Sequence, residues 1–386
     1  MVGGGPAGLM AADEASARGA AVTVYDGMPS LGRKFLMAGK SGLNITHTED
    51  KARFLARYGN DPRIRGIVAE FDAAAVRAFM ADLGIPERVG TTGRVFPVMM
   101  KASALLRAWL QRLEGRGVAT RTRHRLTGWD GAHGLTFVTP GGVVRVKADA
   151  VVFAMGGGSW SRLGSDGAWT DVLAAGGFAP RPFAASNVGL RVDWSDLVRE
   201  RFAGAPLKNV RLIGPDGTAS RGEAVVTRRG LESGGIYPLA TAFERGGTLT
   251  IDLLPDRQEH AVAAALARQN PRQSLANRLR KGARVEGVKA ALFREGLTAE
   301  DIGSPEAAAR RLKNLPLKVE GLAPIDEAIS TRGGVPWAAL DDRLELKGAP
   351  GVFCAGEMID WDAPTGGYLL TACLATGWRA GRSAVG

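Results

Sequence analysis

The sequence predicts an α/β protein built around a parallel sheet, and three features predict it. A glycine loop, Gly3-Gly4-Gly5-Pro6-Ala7-Gly8, stands near the start in the spacing G-x-G-x-x-G and leads into a helical stretch. Ala21–Tyr25 reads as the next strand and ends at an acid, Asp26. That is close to the ~20-residue distance at which a dinucleotide fold places its ribose acceptor. Two further apolar runs, Ala150–Ala154 and Gly351–Ala355, show no alternation, as strands buried on both faces of a parallel sheet do.

The loop residues have distinct backbone duties. Gly3 allows the tight turn, Gly5 lets the chain approach a pyrophosphate, and Gly8 lets helix pack on strand. Pro6 and Ala7 begin a helix whose free N–H groups and positive dipole end face the phosphates. With Asp26 as acceptor for ribose hydroxyls, the loop points to a dinucleotide cofactor, FAD before others. The strand that should precede the loop, central in such a sheet, is represented only by Met1 and Val2. The expectation is that the recorded start is late and that an apolar segment belongs upstream.

Gly32 to His47 is punctuated by glycine and rich in donors, and Arg33, Lys34, Asn44 and Thr46 are its candidates for a phosphate or flavin edge. Helices are expected at about 62–70 and 73–83, then an extended piece at Gly93–Pro97. Ala102–Leu113 carries Leu105, Leu106, Trp109, Leu110 and Leu113 at helical spacing. Residues 118 to 153 become strand-like around a Pro140-Gly141-Gly142 turn. The cluster Gly156-Gly157-Gly158 has neither a third spaced glycine nor an immediate helix. It reads as a tight turn against the cofactor, with Ala154, Gly156 and Gly157 in contact.

The middle of the chain changes character. Leu207–Ile213, Glu223–Thr227 and Thr248–Leu254 read as strands, and helical stretches run from Asp256 to Asn314. Because the chain then returns to a buried strand, residues 1–180 and 326–386 form a discontinuous nucleotide domain. Residues 181–325 form an inserted substrate or cap region, β-rich over 181–255 and helical over 256–325. Near the end, Gly356-Glu357 follows the buried strand, and Thr365-Gly366-Gly367-Tyr368 opens an apolar helix to Ala380. A carboxylate at Glu357 suits a ribityl or phosphate-side hydroxyl, and the glycine pair suits N–H donation toward a flavin pyrimidine. Capping acids on an exposed loop are the other reading of Glu357 and Asp360.

Composition narrows the classes. The chain has 386 residues, 45% of them hydrophobic, but no apolar run approaching the ~18 residues of a membrane span. No basic and apolar leader pattern occupies the N-terminus, so the cytoplasm is expected. Cys354 and Cys373 make neither a disulfide framework nor a C-x-x-C pair and read as core residues, and the four histidines have no metal-ligand spacing. Net charge is +11, carried mostly by arginine in a scattered pattern, with short clusters at Arg121–Arg125 and Arg278-Leu279-Arg280-Lys281. An anionic cofactor accounts for this balance, and nucleic acid is not the expected partner. The oligomeric state is not legible.

Taken together, Gly3–Gly8, Gly32-Arg33-Lys34, Asn44-Ile45-Thr46, Gly93–Pro97, Ala154–Gly157, Thr331–Val335 and Gly356-Glu357…Asp360…Thr365–Tyr368 resemble the BaiN-like NAD(P)/FAD-dependent oxidoreductase family of bacterial flavoproteins. The resemblance spans nearly the whole chain. It implies a Rossmann-like FAD domain of the two-dinucleotide-fold type, interrupted by a β-rich and helical insertion. Lys40-Ser41-Gly42-Leu43 replaces the centre of the family's glycine and asparagine loop, and Leu369 stands where asparagine is common. These departures mark a distinct branch and leave the substrate open.

The function expected is FAD-dependent oxidation or reduction of a small molecule, with FAD bound non-covalently because no His or Cys sits in a linkage motif. Thr227–Tyr237 combines turn glycines, arginines, an acid and a phenol, which makes Glu232 or Tyr237 the candidate proton donor, or else part of a polar hairpin surface. Only one complete glycine fingerprint is present, so NAD(P)H is expected at most as a transient donor. A flavoprotein acting on RNA, as in tRNA modification, and a FAD-holding protein without turnover, are the alternatives.

Overall fold

A computed structural model describes residues 1–39 and 42–386; Lys40 and Ser41, part of the divergent loop, lie outside the described residues. The chain divides into two compact units, Met1–Ala185 with Ser330–Gly386, and Ser186–Ile329.

The first unit is organised by the parallel sheet. Thr23–Tyr25 pairs in parallel with Ala119–Arg121, and Val151–Phe153 with Val352–Cys354. Val2 joins the two pairs by bridging Tyr25 on one side and Phe153 on the other. The Gly3 N–H donates to Tyr25 O at 2.8 Å, and the Ala154 N–H to Val2 O at 2.8 Å. Every residue of Val151–Phe153 and Val352–Cys354 is buried, which explains why neither run alternates in sequence.

Pro6 fixes the first helical φ, and an alanine-rich stretch carries the helix to Ala17. This helix packs directly on the C-terminal helix Tyr368–Ser383, and the contact is made possible by glycine. A Cβ on Gly377 would lie 2.2 Å from Ala7 O, and one on Gly381 2.4 Å from Ala11 O. Asp13, buried within the first helix, accepts from Trp109 Nε1 at 2.9 Å and Arg116 Nη1 at 2.7 Å. The helix Ala102–Gly115 is thereby tied to it, with Leu105, Leu106, Trp109 and Leu113 turned inward as their spacing predicts. A three-stranded meander, Arg125–Trp129, Gly134–Thr139 and Gly142–Lys147, turns at Pro140-Gly141.

The second unit holds a seven-stranded antiparallel sheet. Its edges are Leu315–Val319 and Gly321–Leu322, which are separated only by Glu320, so the sheet curls back on itself. Here the structure corrects the reading of 256–325 as helical. The helices end at Lys313, and Leu315, Leu317 and Val319 point inward in alternation, a strand pattern embedded in residues assigned to helix. The helices are Glu259–Ala267, Leu275–Arg278, Gly287–Arg294 and Pro305–Lys313. They share a core with the sheet through Val210, Leu212, Leu249, Ile251, Phe243 and Phe293.

Candidate functional site

The three glycines of the fingerprint are required by different neighbours. Gly3 has φ 103°, and a Cβ there would sit 2.2 Å from Ala154 O. On Gly8 it would sit 1.9 Å from Gly3 O. On Gly5 it would meet nothing within 4 Å. Protein packing therefore demands the first and third glycines, whereas the second borders open space at the N-terminus of the helix. Gly5 caps that helix without a side-chain hydrogen bond, which leaves the N–H groups of the first turn to a ligand.

Asp26 is bound into the same loop. Its Oδ2 accepts from the Gly4 N–H at 2.8 Å and its Oδ1 from the Met28 N–H at 2.8 Å. Burial pushes its carboxyl up, opposed by these two donors and by Arg33. Lys34 Nζ reaches Glu357 Oε2 at 2.7 Å and Ser159 Oγ at 2.9 Å, while Glu357 Oε1 accepts from the Thr331 N–H at 3.0 Å. Two segments far apart in sequence thus meet through an ion pair. Arg33 Nε and Asn44 Oδ1 are buried without a hydrogen-bond partner, a state that native proteins rarely leave unfilled.

Asp26, Arg33, Lys34 and Glu357 line a cleft of about 1080 Å³, its open mouth included. Gly3, Gly5, Pro6, Ala7, Asp26, Arg33, Lys34, Ala154, Gly156, Gly356 and Glu357 all contribute to it. Gly8, Asn44, Thr46, Gly157, Thr365, Gly366, Gly367 and Tyr368 are not part of its lining. The sequence reading missed Met28, His124, Arg125, Ser165, Trp169 and Cys373. His124 and Arg125 carried no motif and arrive because the strand Ala119–Arg121 ends beside Asp26, whose N–H donates to Arg121 O. Cys373 was recoverable as an inward position on the last helix; burial pushes its thiol up to about 12.

The C-terminal glycine pair is locked from behind. Gly367 has φ 95°, and a Cβ would lie 2.4 Å from Thr46 Cα. Thr371 Oγ1 lies 2.9 Å from Gly367 O and 3.0 Å from Thr46 Oγ1. Tyr368 turns into an aromatic cluster, with ring centroids 5.0 Å from Phe54 and 5.8 Å from His47. Its hydroxyl donates to Glu49, which Arg57 also holds at 3.1 and 3.0 Å. Burial and Glu49 push the phenol well up, and the Arg57 hydrogen bonds hold the Glu49 carboxyl down. Asp360 accepts from the Gly333 N–H at 2.9 Å and from Arg181 at 2.7 Å.

Glu232 and Tyr237 belong to the second unit. Glu232 ends the strand Gly230–Glu232, and Tyr237 opens a 3-10 helix to Phe243. Between them Ser233 adopts φ 103°, and its carbonyl accepts from the Tyr237 N–H at 3.2 Å. Partial burial and Glu327 push the Glu232 carboxyl up, and burial does the same to the Tyr237 phenol. Among the described residues no cluster of His, Cys, Asp and Glu has the makings of a metal site, and no helix is long and apolar enough to cross a membrane.

Comparison with known proteins places this geometry. The chain is 25% identical over 405 residues to a 3-dehydro-bile acid delta(4,6)-reductase of Clostridium scindens, covering 100% of this chain and 98% of that one. It is 24% identical over 402 residues to a ribosomal RNA dihydrouridine synthase of Escherichia coli K12, covering 100% and 97%. Among solved structures it is similar in fold to the 3-ketosteroid-delta4-(5alpha)-dehydrogenase of Rhodococcus jostii RHA1, with TM-score 0.57, 17% identity and coverage of 100% and 96%. The model described as HI0933-like protein Rossmann domain matches residues 1–383. The chain therefore belongs to the HI0933-like Rossmann family, the BaiN-like flavoproteins.

Proposed function

We propose that the chain holds FAD non-covalently in the cleft of its first unit and is an oxidoreductase acting on a small molecule. The observation that carries this reading is the open space at Gly5, bordered by an uncapped helix N-terminus and by Asp26. The residues fit the group. The helix start and the Arg33 and Lys34 cations suit phosphate charge, Asp26 suits ribose hydroxyls, and the orphaned Arg33 Nε supplies a polar atom that wants a partner. Bound there, FAD would supply hydride chemistry, while the chain supplies orientation and charge.

Glu232 and Tyr237 are the proposed proton donors. Each keeps its proton to higher pH than usual, which suits donation. NAD(P)H is proposed as a donor that binds transiently, since the sequence holds one glycine fingerprint. One relative is a bile-acid reductase, which supports a small-molecule substrate without naming this one. The test is anaerobic reduction by NADH and NADPH, followed by reoxidation with a panel of enones. Flavin bleaching and enone-dependent recovery support the reading; a flavin that neither nicotinamide nor dithionite-driven turnover couples to any acceptor defeats it.

A further inference from the structure

The first unit has a second cavity, about 780 Å³ with its open mouth included, lined by residues of the helix Pro62–Glu70, of the segment 337–347 and of the last helix. It shares no lining residue with the glycine-loop cleft. Its size lies within the roughly 300–1,000 Å³ of small-molecule sites. Ile67, Leu340 and Leu344, each no more than 4% exposed, give it an apolar lining. The Arg63 guanidinium lies 5.2 Å from the centroid of the Trp337 ring and closes one side.

The wall is built with strain. Leu344 adopts φ 68°, a left-handed backbone conformation that is unfavourable for a bulky side chain. Its turn holds it there: Asp341 Oδ1 accepts from the N–H groups of Arg343 at 2.9 Å and Glu345 at 2.8 Å, and Asp341 O accepts from the Leu344 N–H at 3.1 Å. Strain of this kind persists where surrounding contacts over-determine it, and it concentrates at ligand sites.

Of the charged side chains that line the cavity, Arg63 is held by Asp61 at 2.6 and 3.0 Å, Arg379 by Glu70 at 2.6 Å, and Asp341 by the turn. Lys347 and Asp342 are different. They carry opposite charges and line one cavity, yet neither belongs to an ion pair among the described residues. Contacts to backbone anchor them: Lys347 Nζ donates to Ala338 O at 3.1 Å, and Asp342 O accepts from Arg379 Nη1 at 3.1 Å. The ammonium keeps donors to spare and the carboxylate keeps its acceptors. An anion alone would meet Asp341 and Asp342, and a cation alone would meet Arg63, Lys347 and Arg379, so like charge opposes either. A zwitterion answers both ends, its carboxylate toward Lys347 and its ammonium toward Asp342, while an apolar body covers Leu340 and Leu344. We propose that this cavity binds a free α-amino acid with an apolar side chain. The inference does not depend on the flavin reading.

The test is calorimetric titration of the full-length protein with L-leucine and L-phenylalanine, alongside isoamylamine and isocaproate, which each keep leucine's side chain and lack one of its charges. At least one amino acid should bind with a dissociation constant of about 1 mM or tighter. Isoamylamine and isocaproate should bind at least about tenfold more weakly than leucine. Lys347→Gln and Asp342→Asn should each weaken amino-acid binding at least about tenfold, and both side chains are exposed, so neither exchange disturbs the core. Hydrogen exchange on the unmutated protein should show protection over 337–347 when the amino acid is added, which locates the site without any variant. No binding of either amino acid at about 10 mM overturns the proposal. So does equal affinity for an analogue lacking one charge, or protection confined to the glycine loop over 3–8.

Discussion

The Gly4 N–H donates to Asp26 Oδ2 at 2.8 Å, so the glycine loop and the acid at the end of the next strand form one hydrogen-bonded unit. Asp26 thus both shapes the loop and faces the cleft. Replacing Asp26 with Ala should weaken flavin binding by at least about tenfold, as expected for losing a charged acceptor worth ~1.5–3 kcal/mol. Flavin per chain after dilution and gel filtration checks this, and unchanged content would mean that Asp26 makes no ribose contact.

The open space at Gly5 separates binding from folding. Gly5→Ala should leave the apo-protein's stability within ~0.5 kcal/mol of wild type, because φ −83° accepts alanine and no protein atom is near. It should nonetheless reduce flavin uptake. Gly377→Ala should do the reverse and cost ~1–3 kcal/mol or more, because its Cβ meets Ala7 O at 2.2 Å. Thermal unfolding of the flavin-free proteins, paired with flavin titration, distinguishes the two.

These contrasts also show what was legible. Gly3, Gly8 and Asp26 announced themselves because their spacing reflects short-range geometry, and Val151–Phe153 because burial on both faces removes alternation. The Lys34–Glu357 pair was not legible as a pair, since nothing local encodes a contact across 323 positions. The surroundings of Tyr368 were not legible for a related reason. Its place beside Gly366-Gly367 suggests a ligand contact, and nothing in that spacing announces that its hydroxyl is held by Glu49 and its ring by Phe54 and His47. The strand Leu315–Val319 was absorbed into the preceding helices because its short alternating run follows Pro305–Lys313 almost without a break.

Glu49 gives a pH prediction with a definite sign. Hydrogen bonds from Arg57 hold its folded-state carboxyl below the ordinary 4.5, so the contribution is fully present above that value. It is lost as pH falls through the lowered folded value. Glu49→Gln should therefore be less stable than wild type at pH 7, with the difference shrinking in acid. Chemical denaturation at a series of pH values checks it; a gap that widens toward acid would contradict the assignment.

For the proposed donors the sign is opposite. If protonated Glu232 serves the reaction, turnover should decline as pH rises through its elevated value, and Glu232→Gln should abolish that limb without changing flavin content. Tyr237→Phe should lower turnover while leaving Glu232's limb in place. A pH profile identical in wild type and Glu232→Gln would remove Glu232 from the chemistry.

The most direct measurement is the flavin itself. Full-length protein purified without added cofactor, or titrated with FAD if it emerges colourless, should bind close to one FAD per chain, and acid precipitation should release a yellow chromophore that chromatographs as FAD. A protein that takes up no FAD, or a pellet that stays yellow after acid, would contradict a non-covalent FAD site in the cleft between Gly5 and Asp26.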